Sequence, residues 1–425
     1  MSFPRNQKLY HLGIHFPWPD HKEKESKTRV ISEWISDERI IRQGFCFVDE
    51  YKGNKVVAMQ SVGTQEPLIM KTINSHDWRF TDDPPDLRFS TYEHADVGRE
   101  DDEEAVLQHA GVRLPSPTQV DGVDRTYFLE LVAWQKFCDK KNDMHYSLYF
   151  KHYNGGTLQS LMKCYRDRKI PVPEHFIWHT MLRLCLCIRF LVYGIALDSD
   201  YDRVPESDNE SDADSSDDER DPNWRFVSHQ DFVRNNIFIH YPPDGRGQRL
   251  NKKLNCFPDV ILGDFGEACQ DGDVQVPAGV YDTAEASQWQ DVYNLGETLR
   301  LMAQITIPPQ PPRAYQVEWK PNDLNMDRVN EFLEAAGHQP YSEELIGALS
   351  RFEYPQMQEY IIDQDLPDGR PAYEHMPSVR WIVNELIPLA KRMCRRYEVL
   401  AEQDEGYMAS LDVSWTKPPR FMPLE

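Results

Sequence analysis

Two short polar motifs, each joined to a run of apolar residues, constrain the fold of this chain more than any other feature. The first motif, His229–Asn236 (HQDFVRNN), leads directly into the apolar run Ile237–Ile239. The second motif, Asp264–Gly266 (DFG), follows the apolar run Val260–Leu262. Short apolar runs bounded by polar residues are typical of buried strands. The pattern predicts one hairpin that carries both motifs on loops at its strand ends.

Together the two motifs resemble a phosphotransferase centre. Transfer of a phosphoryl group needs a positioned carboxylate to accept a hydroxyl proton, and oxygen ligands for Mg²⁺. Asp231 and Asn236 stand five positions apart, and Asp264 follows downstream. The order resembles the H-R-D-x-x-x-x-N loop and the D-F-G motif of the eukaryotic protein kinase family. The resemblance implies that Asp231 is the catalytic base and that Asn236 and Asp264 ligate Mg²⁺, with ATP as the phosphoryl donor.

A second landmark of that family lies upstream, at Phe150–Leu158 (FKHYNGGTL). It resembles the kinase hinge, a strand that ends at a Gly-Gly pair and opens a helix. The resemblance implies that Phe150 is the gatekeeper. It also implies that main-chain groups near His152 and Tyr153 hydrogen-bond the adenine, a task that leaves side-chain identity loosely constrained. Read without the resemblance, the same residues indicate an ordinary strand, turn and helix.

Three short strands are predicted nearer the N-terminus, at 45–51, 55–61 and 67–73. The third contains Leu68-Ile69-Met70-Lys71, which resembles the V-A-I-K strand of the kinase family. The resemblance implies that Lys71 contacts the nucleotide phosphates. Three residues stay open as its acidic partner: Asp86, Glu93 and Glu103.

Several positions depart from the family pattern. The loop between the first two strands has one glycine, Gly53, where the family has G-x-G-x-x-G, and backbone approaches phosphate closely only where side chains are absent. Gln230 stands where the family has Arg, so no phosphate switch is expected. Val233 stands where serine/threonine kinases have Lys, a charge that Arg234 could supply. Slow catalysis stays compatible with these changes, since a tenfold loss is only about 1.4 kcal/mol.

Two further motifs follow the DFG residues. Residues 281–285 (YDTAE) resemble the Y-x-A-P-E end of an activation segment. Residues 291–296 (DVYNLG) resemble the D-V-W-S-L-G helix that braces the catalytic loop. A basic cluster at 391–396 could anchor Glu285 by an ion pair, as an arginine does in the family, or could be a solvated face.

The charge of the chain bears on its partners. With 47 basic and 70 acidic residues the net charge is −23, which argues against nucleic acid and anionic lipid and favours a protein substrate or a basic protein partner. Much of the excess lies in 198–222, which cannot bury apolar surface and is predicted to be a disordered insertion. It is either a tolerated solvated excursion or a regulatory target of acid-directed kinases. The serines with an acidic residue three positions on are Ser207, Ser211, Ser215 and Ser216.

The remaining patterns indicate an intracellular protein, cytoplasmic or nuclear. No apolar run is long enough to suggest a membrane span, and the first residues lack a signal-peptide core. The eight cysteines are scattered without the paired spacing of a zinc module, which fits a reducing compartment. The oligomeric state stays open.

The predicted fold is α+β and bilobal, of the protein-kinase-like kind, with a small antiparallel β-sheet lobe and a larger, mainly helical lobe. Residues 1–35 are assigned to an N-terminal extension, 36–153 to the smaller lobe and hinge, 154–405 to the larger lobe with its insertion, and 406–425 to a tail. Helices are predicted at 341–352 and 379–400. The amino-acid sequence at 154–158 and 176–179 is similar to that of divergent protein-kinase-like proteins of filamentous fungi.

The function implied by the resemblance is an ATP- and Mg²⁺-dependent protein kinase, directed to serine or threonine, in which Lys71 and Asp231 are catalytic. Three alternatives stay open. The first is a pseudokinase scaffold that transfers nothing, which the poor glycine loop and Val233 favour. The second is a small-molecule phosphotransferase of the aminoglycoside or choline kinase type, which shares the H-x-D-x-x-x-x-N loop but usually lacks D-F-G. The third is an interaction module whose acidic segment captures a partner.

Overall fold

The structure of the protein is a computed structural model. It describes residues 9–10, 29–37, 39–40, 45–52, 56–74, 84–91, 112–115, 118–120, 123–138, 143–198, 224–240, 258–270, 284–307, 326–353 and 377–403. Several sequence predictions fall outside the described residues: Gly53, Glu93, Glu103, 281–283, the tail 406–425, and the acidic insertion beyond Asp198.

A seven-stranded antiparallel sheet forms one part of the molecule, in the order β1-β3-β4-β5-β9-β8-β2. Its strands are β1 Leu9–Tyr10, β2 Arg29–Ile35, β3 Phe45–Lys52, β4 Val56–Ser61, β5 Pro67–Asn74, β8 Leu131–Cys138 and β9 Met144–Lys151. The three strands predicted near the N-terminus are β3, β4 and β5, so that prediction is confirmed. β1 and β2, which lie within the predicted extension 1–35, form the two edges of the sheet.

Along most of β5, buried and partly exposed positions alternate, whereas β4 is buried over five consecutive residues. On β5, Leu68 and Met70 are fully buried, and they pack in one cluster with Phe45 and Val57 of the neighbouring strands. Successive side chains of a strand point to opposite faces, so Ile69 and Lys71 face away from that cluster. This alternation delivers Lys71 to the pocket described below.

The other part of the molecule is mainly helical. Its helices are α2 Leu158–Arg168, α3 Glu174–Tyr193, α4 Ala284–Ala303, α5 Val329–Ala335, α6 Glu343–Ser350, α7 Val379–Trp381 and α8 Ile387–Gln403, while a short α1 at Pro85–Arg88 lies beside the sheet. A 3₁₀ turn at Met326–Arg328 precedes α5, and a π-helical turn at Ile382–Leu386 joins α7 to α8. The helices predicted at 341–352 and 379–400 are therefore confirmed.

Helix α3 is the centre of the largest hydrophobic core. Phe176, Trp178 and Leu184 are fully buried there, and α8 and α4 pack against the helix. Contrary to the expectation from the sequence, α3 is long and apolar enough to cross a membrane, yet 83% of its most apolar window is buried inside the structure. Such burial is typical of a core helix that other elements of the same chain surround.

Three further strand pairs lie outside the seven-stranded sheet. They are β6 Thr118–Val120 with β7 Val123–Arg125, β10 Val227–Ser228 with β13 Cys269–Gln270, and β11 Ile237–His240 with β12 Asp259–Leu262. The β11–β12 pair is the hairpin that the two motifs predicted, with Ile237 opposite Leu262. The α+β class is confirmed, and the sheet is antiparallel as expected.

Candidate functional site

The β11–β12 register brings the two motifs together. Because Ile237 pairs with Leu262, the residues just beyond them are neighbours, and the N–H of Gly263 donates to the carbonyl oxygen of Asn236 at 2.9 Å. The side-chain amide of Asn236 donates to Oδ2 of Asp231 at 2.7 Å and to its carbonyl oxygen at 2.9 Å. The hairpin therefore fixes Asp231, Asn236 and Asp264 in one small region.

The backbone is unusual at two motif positions. Gln230 and Asp264 both have a φ of 61°, in the left-handed region that residues with a side chain rarely adopt. Such a conformation costs on the order of 1–3 kcal/mol and persists where surrounding contacts hold it, often at functional sites. Here the contacts are those of the hairpin and of helix α4.

Lys71 bridges two carboxylates. Its Nζ donates to Oδ1 of Asp264 at 2.5 Å and to Oδ2 of Asp86 at 2.7 Å. Burial alone would lower the pKa of Lys71, but the two carboxylates outweigh it and raise that pKa above its ordinary value. Lys71 is therefore a fixed cation at neutral pH, joined to a residue 193 positions away in the sequence.

Asp86 is the acidic partner among the three candidates that the sequence left open. It lies on α1, a four-residue helix that begins after Pro84 with Pro85 in its first turn, a position where proline is favourable. Its side chain is only 4% exposed, and burial raises the pKa of Asp86 while the Lys71 ammonium lowers it, with a net rise. The backbone N–H of Phe265 also donates to Asp86, so the carboxylate contacts the DFG motif directly.

Helix α4 braces the loop that carries Asp231, as the resemblance of 291–296 implied. The carboxylate of Asp291 accepts the backbone N–H groups of His229 at 2.7 Å and Gln230 at 2.8 Å, and the hydroxyl of Ser228 at 3.1 Å. Complete burial raises the pKa of Asp291 to about 7 despite these donors. These contacts hold the left-handed turn at Gln230.

His229 links the loop to the DFG residues. Its Nε2 lies 3.1 Å from the carbonyl oxygen of Gly263, and the backbone N–H of Asp231 approaches its Nδ1 at 3.3 Å. Burial lowers the pKa of His229 to about 4, so the ring is neutral at physiological pH. Its ring packs edge-on against Phe265, with centroids 4.5 Å apart, and Phe265 in turn contacts Phe89 and Phe128.

A pocket of about 940 Å³ opens between the sheet and the helical part. The predicted site residues that line it are Lys71, Phe150, His152, Tyr153, Asp231 and Asp264. Asn236 is not among the lining residues, but its side chain contacts Asp231, which is. The volume is in the range of sites that bind small molecules and cofactors.

The wall opposite the motifs contains the predicted hinge. Phe150 is buried on β9, and the N–H of His152 donates to the carbonyl oxygen of Pro67 at 3.1 Å. That N–H is therefore already used, and main-chain contact with a ligand would come from neighbouring groups such as those of Tyr153. Burial lowers the pKa of His152 to about 4, so the ring of His152 is uncharged at neutral pH.

The residues that depart from the family pattern have other partners. Gln230 directs its amide to Sγ of Cys269 at 2.8 Å, and Arg234 directs its Nε to the side-chain carbonyl of Gln159 on α2. Neither Arg234 nor Val233 lines the pocket. Among the described residues that do line it, the lysines are Lys71 and Lys151. The side chain of Glu285 is outside the described residues, and Arg396 of the basic cluster pairs with Glu344 at 3.5 Å.

The oxygen ligands for a metal ion are few. No group of three or more His, Cys, Asp or Glu side chains that could hold a metal ion occurs in the part of the chain that the structure describes. Asp264 and Asn236 offer a carboxylate and an amide carbonyl, the hard oxygen donors that Mg²⁺ prefers. Since the nitrogen of the Asn236 amide donates to Asp231, its carbonyl oxygen is the atom left for a cation.

No protein-family model matches the chain, and no curated protein matches it. Any relationship to a family therefore rests on the motifs and on the geometry of the site.

Proposed function

We propose that this chain is a protein-kinase-like phosphotransferase that binds ATP in the 940 Å³ pocket and transfers its terminal phosphoryl group to a serine or threonine hydroxyl. The observation that carries the proposal is the pairing of Lys71 with Asp86 and Asp264 across one pocket from Asp231. These residues come from separate parts of the sequence, and their convergence is what phosphoryl transfer needs. The bilobal kinase-like fold is part of this proposal.

Each residue has a role that follows from its surroundings. Lys71 is a cation held in place by two carboxylates, so it can contact the phosphates with little reorganisation. Asp231 lies in the pocket wall, oriented by the Asn236 amide, and would accept the proton of the acceptor hydroxyl. Phe150 and Tyr153 would line the space for the adenine, which is an apolar and planar group.

A magnesium ion fits the residues present. Asp264 and the carbonyl oxygen of Asn236 would hold it, with phosphate oxygens and water completing the octahedron that Mg²⁺ requires. When bound, the ion neutralises charge on the phosphates. Five acidic residues line the pocket, Asp49, Asp86, Asp231, Asp264 and Glu267, so an ATP polyanion is expected to enter only with its cations.

A scaffold without phosphotransfer is the second candidate, and one observation favours it. Val233 offers no charge beside Asp231, and Arg234 is engaged with Gln159 rather than lining the pocket. Nucleotide binding without turnover would be the expected behaviour of such a protein.

The test is ATP binding followed by transfer. The thermal midpoint is measured with ATP, with and without Mg²⁺, for the native protein, Lys71→Ala, Asp264→Ala and the surface control Asp167→Ala. A shift that needs Mg²⁺ and is lost only in the two pocket variants supports the site, since ligand at a hundred times its Kd adds about 2.7 kcal/mol. Transfer of labelled phosphate to a protein substrate, absent in Asp231→Asn, then separates the kinase from the scaffold. No shift at millimolar ATP would contradict both.

A further inference from the structure

The exposed face of α8 is strongly basic in a chain whose net charge is −23. Arg392, Arg395 and Arg396 are all exposed and recur at the spacing that places residues on one side of a helix. The opposite side of α8, with Met393 and Cys394, is buried in the core. We call Arg392, Arg395 and Arg396 the basic face.

The positive charge of the basic face is only partly balanced by ion pairs within the described residues. Arg396 reaches Glu344 at 3.5 Å, whereas Arg392 and Arg395 form no ion pair with any residue that the structure describes. Two unpaired cations on one exposed helix face are suited to a chain segment that is rich in acidic residues.

We propose that the basic face is the docking site for the acidic segment 206–221 of the same chain. That segment contains nine acidic residues and one arginine in sixteen positions. Its charge is opposite to that of the basic face, and its position in the chain is what makes contact feasible.

The residues that flank the acidic segment on both sides, Gly194 and Trp224, meet at the C-terminal end of α3. The helix ends at Tyr193 with Gly194 in a left-handed conformation, and the ring of Trp224 covers that glycine. Trp224 also donates its indole N–H to the carbonyl oxygen of Leu191 at 3.2 Å and packs edge-on against Phe190. The chain therefore leaves and returns at nearly the same place.

The basic face lies within reach of that place. Helix α8 packs alongside α3, and the rings of Tyr397 and His175 are 5.8 Å apart at the start of α3. The far end of this 20-residue helix is about 30 Å away, at 1.5 Å of rise per residue. The middle of the acidic segment, near residue 213, lies 19 residues after Gly194 and 11 residues before Trp224, and even the shorter of these two stretches spans up to roughly 40 Å when extended.

The physical character of the contact follows from its exposure. Individual exposed ion pairs contribute little, so docking depends on several charges acting together and on the tether, which keeps the segment at a high effective concentration. Salt must weaken the contact, because the Debye length falls from about 10 Å at 0.1 M to about 3 Å at 1 M. Phosphate on Ser211 or Ser215 would strengthen it by adding negative charge.

The test uses the full chain and a protease that cleaves after glutamate, with Glu206, Glu210 and Glu219 as reporters. Cleavage rates are followed by mass spectrometry for the native protein, Arg392→Glu/Arg395→Glu, and the matched control Lys163→Glu/Arg166→Glu on α2. We expect the α8 variant to be cleaved about threefold faster at low salt, the control to match the native protein, and all three to converge at about 1 M salt.

Three results would overturn the proposal. Equal cleavage rates for all proteins at low salt would mean that the segment does not dock on the basic face. Equal acceleration in the α2 control would mean a general charge effect. Protection that rises with protein concentration would mean docking on a second copy instead. If the α8 variant does not fold, Arg392→Gln/Arg395→Gln replaces it, with the same expected direction.

Discussion

Lys71 and Asp86, fifteen residues apart in sequence, form an ion pair of 2.7 Å at the base of the pocket. Asp86 belongs to a helix of only four residues that begins with Pro85 directly after Pro84, and the two prolines stiffen the chain just before Asp86. The same carboxylate contacts the N–H of Phe265, so one residue orients both the lysine and the DFG motif. The pair is a fixed part of the site.

Replacing Asp86 with Asn tests whether this pair serves the site. The amide keeps the shape of the side chain but removes the charge that orients Lys71, and hydrogen bonds to charged groups are worth about 1.5–3 kcal/mol. We expect kcat/KM for phosphotransfer to fall about tenfold or more, and the ATP-dependent thermal shift to shrink. Asp37→Asn is the control, since Asp37 pairs with Arg39 at 2.6 Å outside the pocket lining. Native turnover in a folded Asp86→Asn protein would contradict the role.

The sequence predicts the local parts of this site better than the contacts between them. The strands β3 to β5 and the β11–β12 hairpin follow from short-range patterns, and the hairpin alone brings Asn236 close to Asp264. The choice of Asp86 over Glu93 or Glu103 does not follow, because it depends on where a four-residue helix packs. The left-handed turns at Gln230 and Asp264 carry no glycine signal, since tertiary contacts impose them.

A glycine at the end of the hinge is expected to be required by packing. A Cβ on Gly155 would lie 2.5 Å from the carbonyl oxygen of Ile239, which is backbone and cannot move aside easily. We expect Gly155→Ala to lower the free energy of unfolding by about 1–3 kcal/mol, the range for overpacked sites, in urea denaturation. Gly347→Ala on α6 is the matched control, because apart from its chain neighbours and the nearby backbone of its own helix, no atom of the described structure lies within 4 Å of its added Cβ.

The control should move in the opposite direction. Alanine is favoured over glycine inside a helix by about 0.5–1 kcal/mol, so Gly347→Ala is expected to be neutral or stabilising. A Gly155→Ala protein as stable as the native one would show that the β11 strand can shift to admit the methyl group.

His229 is expected to make the fold sensitive to acid. Burial holds its pKa at about 4 in the folded protein, whereas an unfolded chain titrates near 6.5. Between these two pH values the unfolded chain binds a proton at His229 and the folded protein does not, so acidification favours unfolding. Above about pH 6.5 the histidine is neutral in both states, and this loss of stability is absent. His229→Gln removes this pH-dependent change in stability, while the glutamine amide can still donate a hydrogen bond to Gly263.

The measurement is urea unfolding of native protein and His229→Gln at several pH values from 7.5 to about 4. We expect the native protein to lose more stability than the variant over this interval. His152 and His179, whose pKa values burial also lowers, contribute equally to both proteins and cancel in the difference. Parallel profiles would show that His229 gains its proton without unfolding, through a rearranged contact with Gly263.

A lysine at position 233 is expected to increase phosphotransfer. Val233 follows Asp231 by two residues, and its N–H donates to the Asp231 carbonyl oxygen at 2.8 Å, so a side chain there starts close to the base. Arg234 does not supply a charge in its place, because its Nε bonds to Gln159. Val233→Lys adds a cation where negative charge develops, and a stabilisation of about 1.4 kcal/mol would raise kcat tenfold.

Asn235→Lys adds the same charge at an exposed position of the same loop and is expected to change kcat little. Equal gains in both variants would mean a general electrostatic effect on the loop. If neither the native protein nor Val233→Lys transfers phosphate while both bind ATP, the pocket belongs to a nucleotide-binding scaffold.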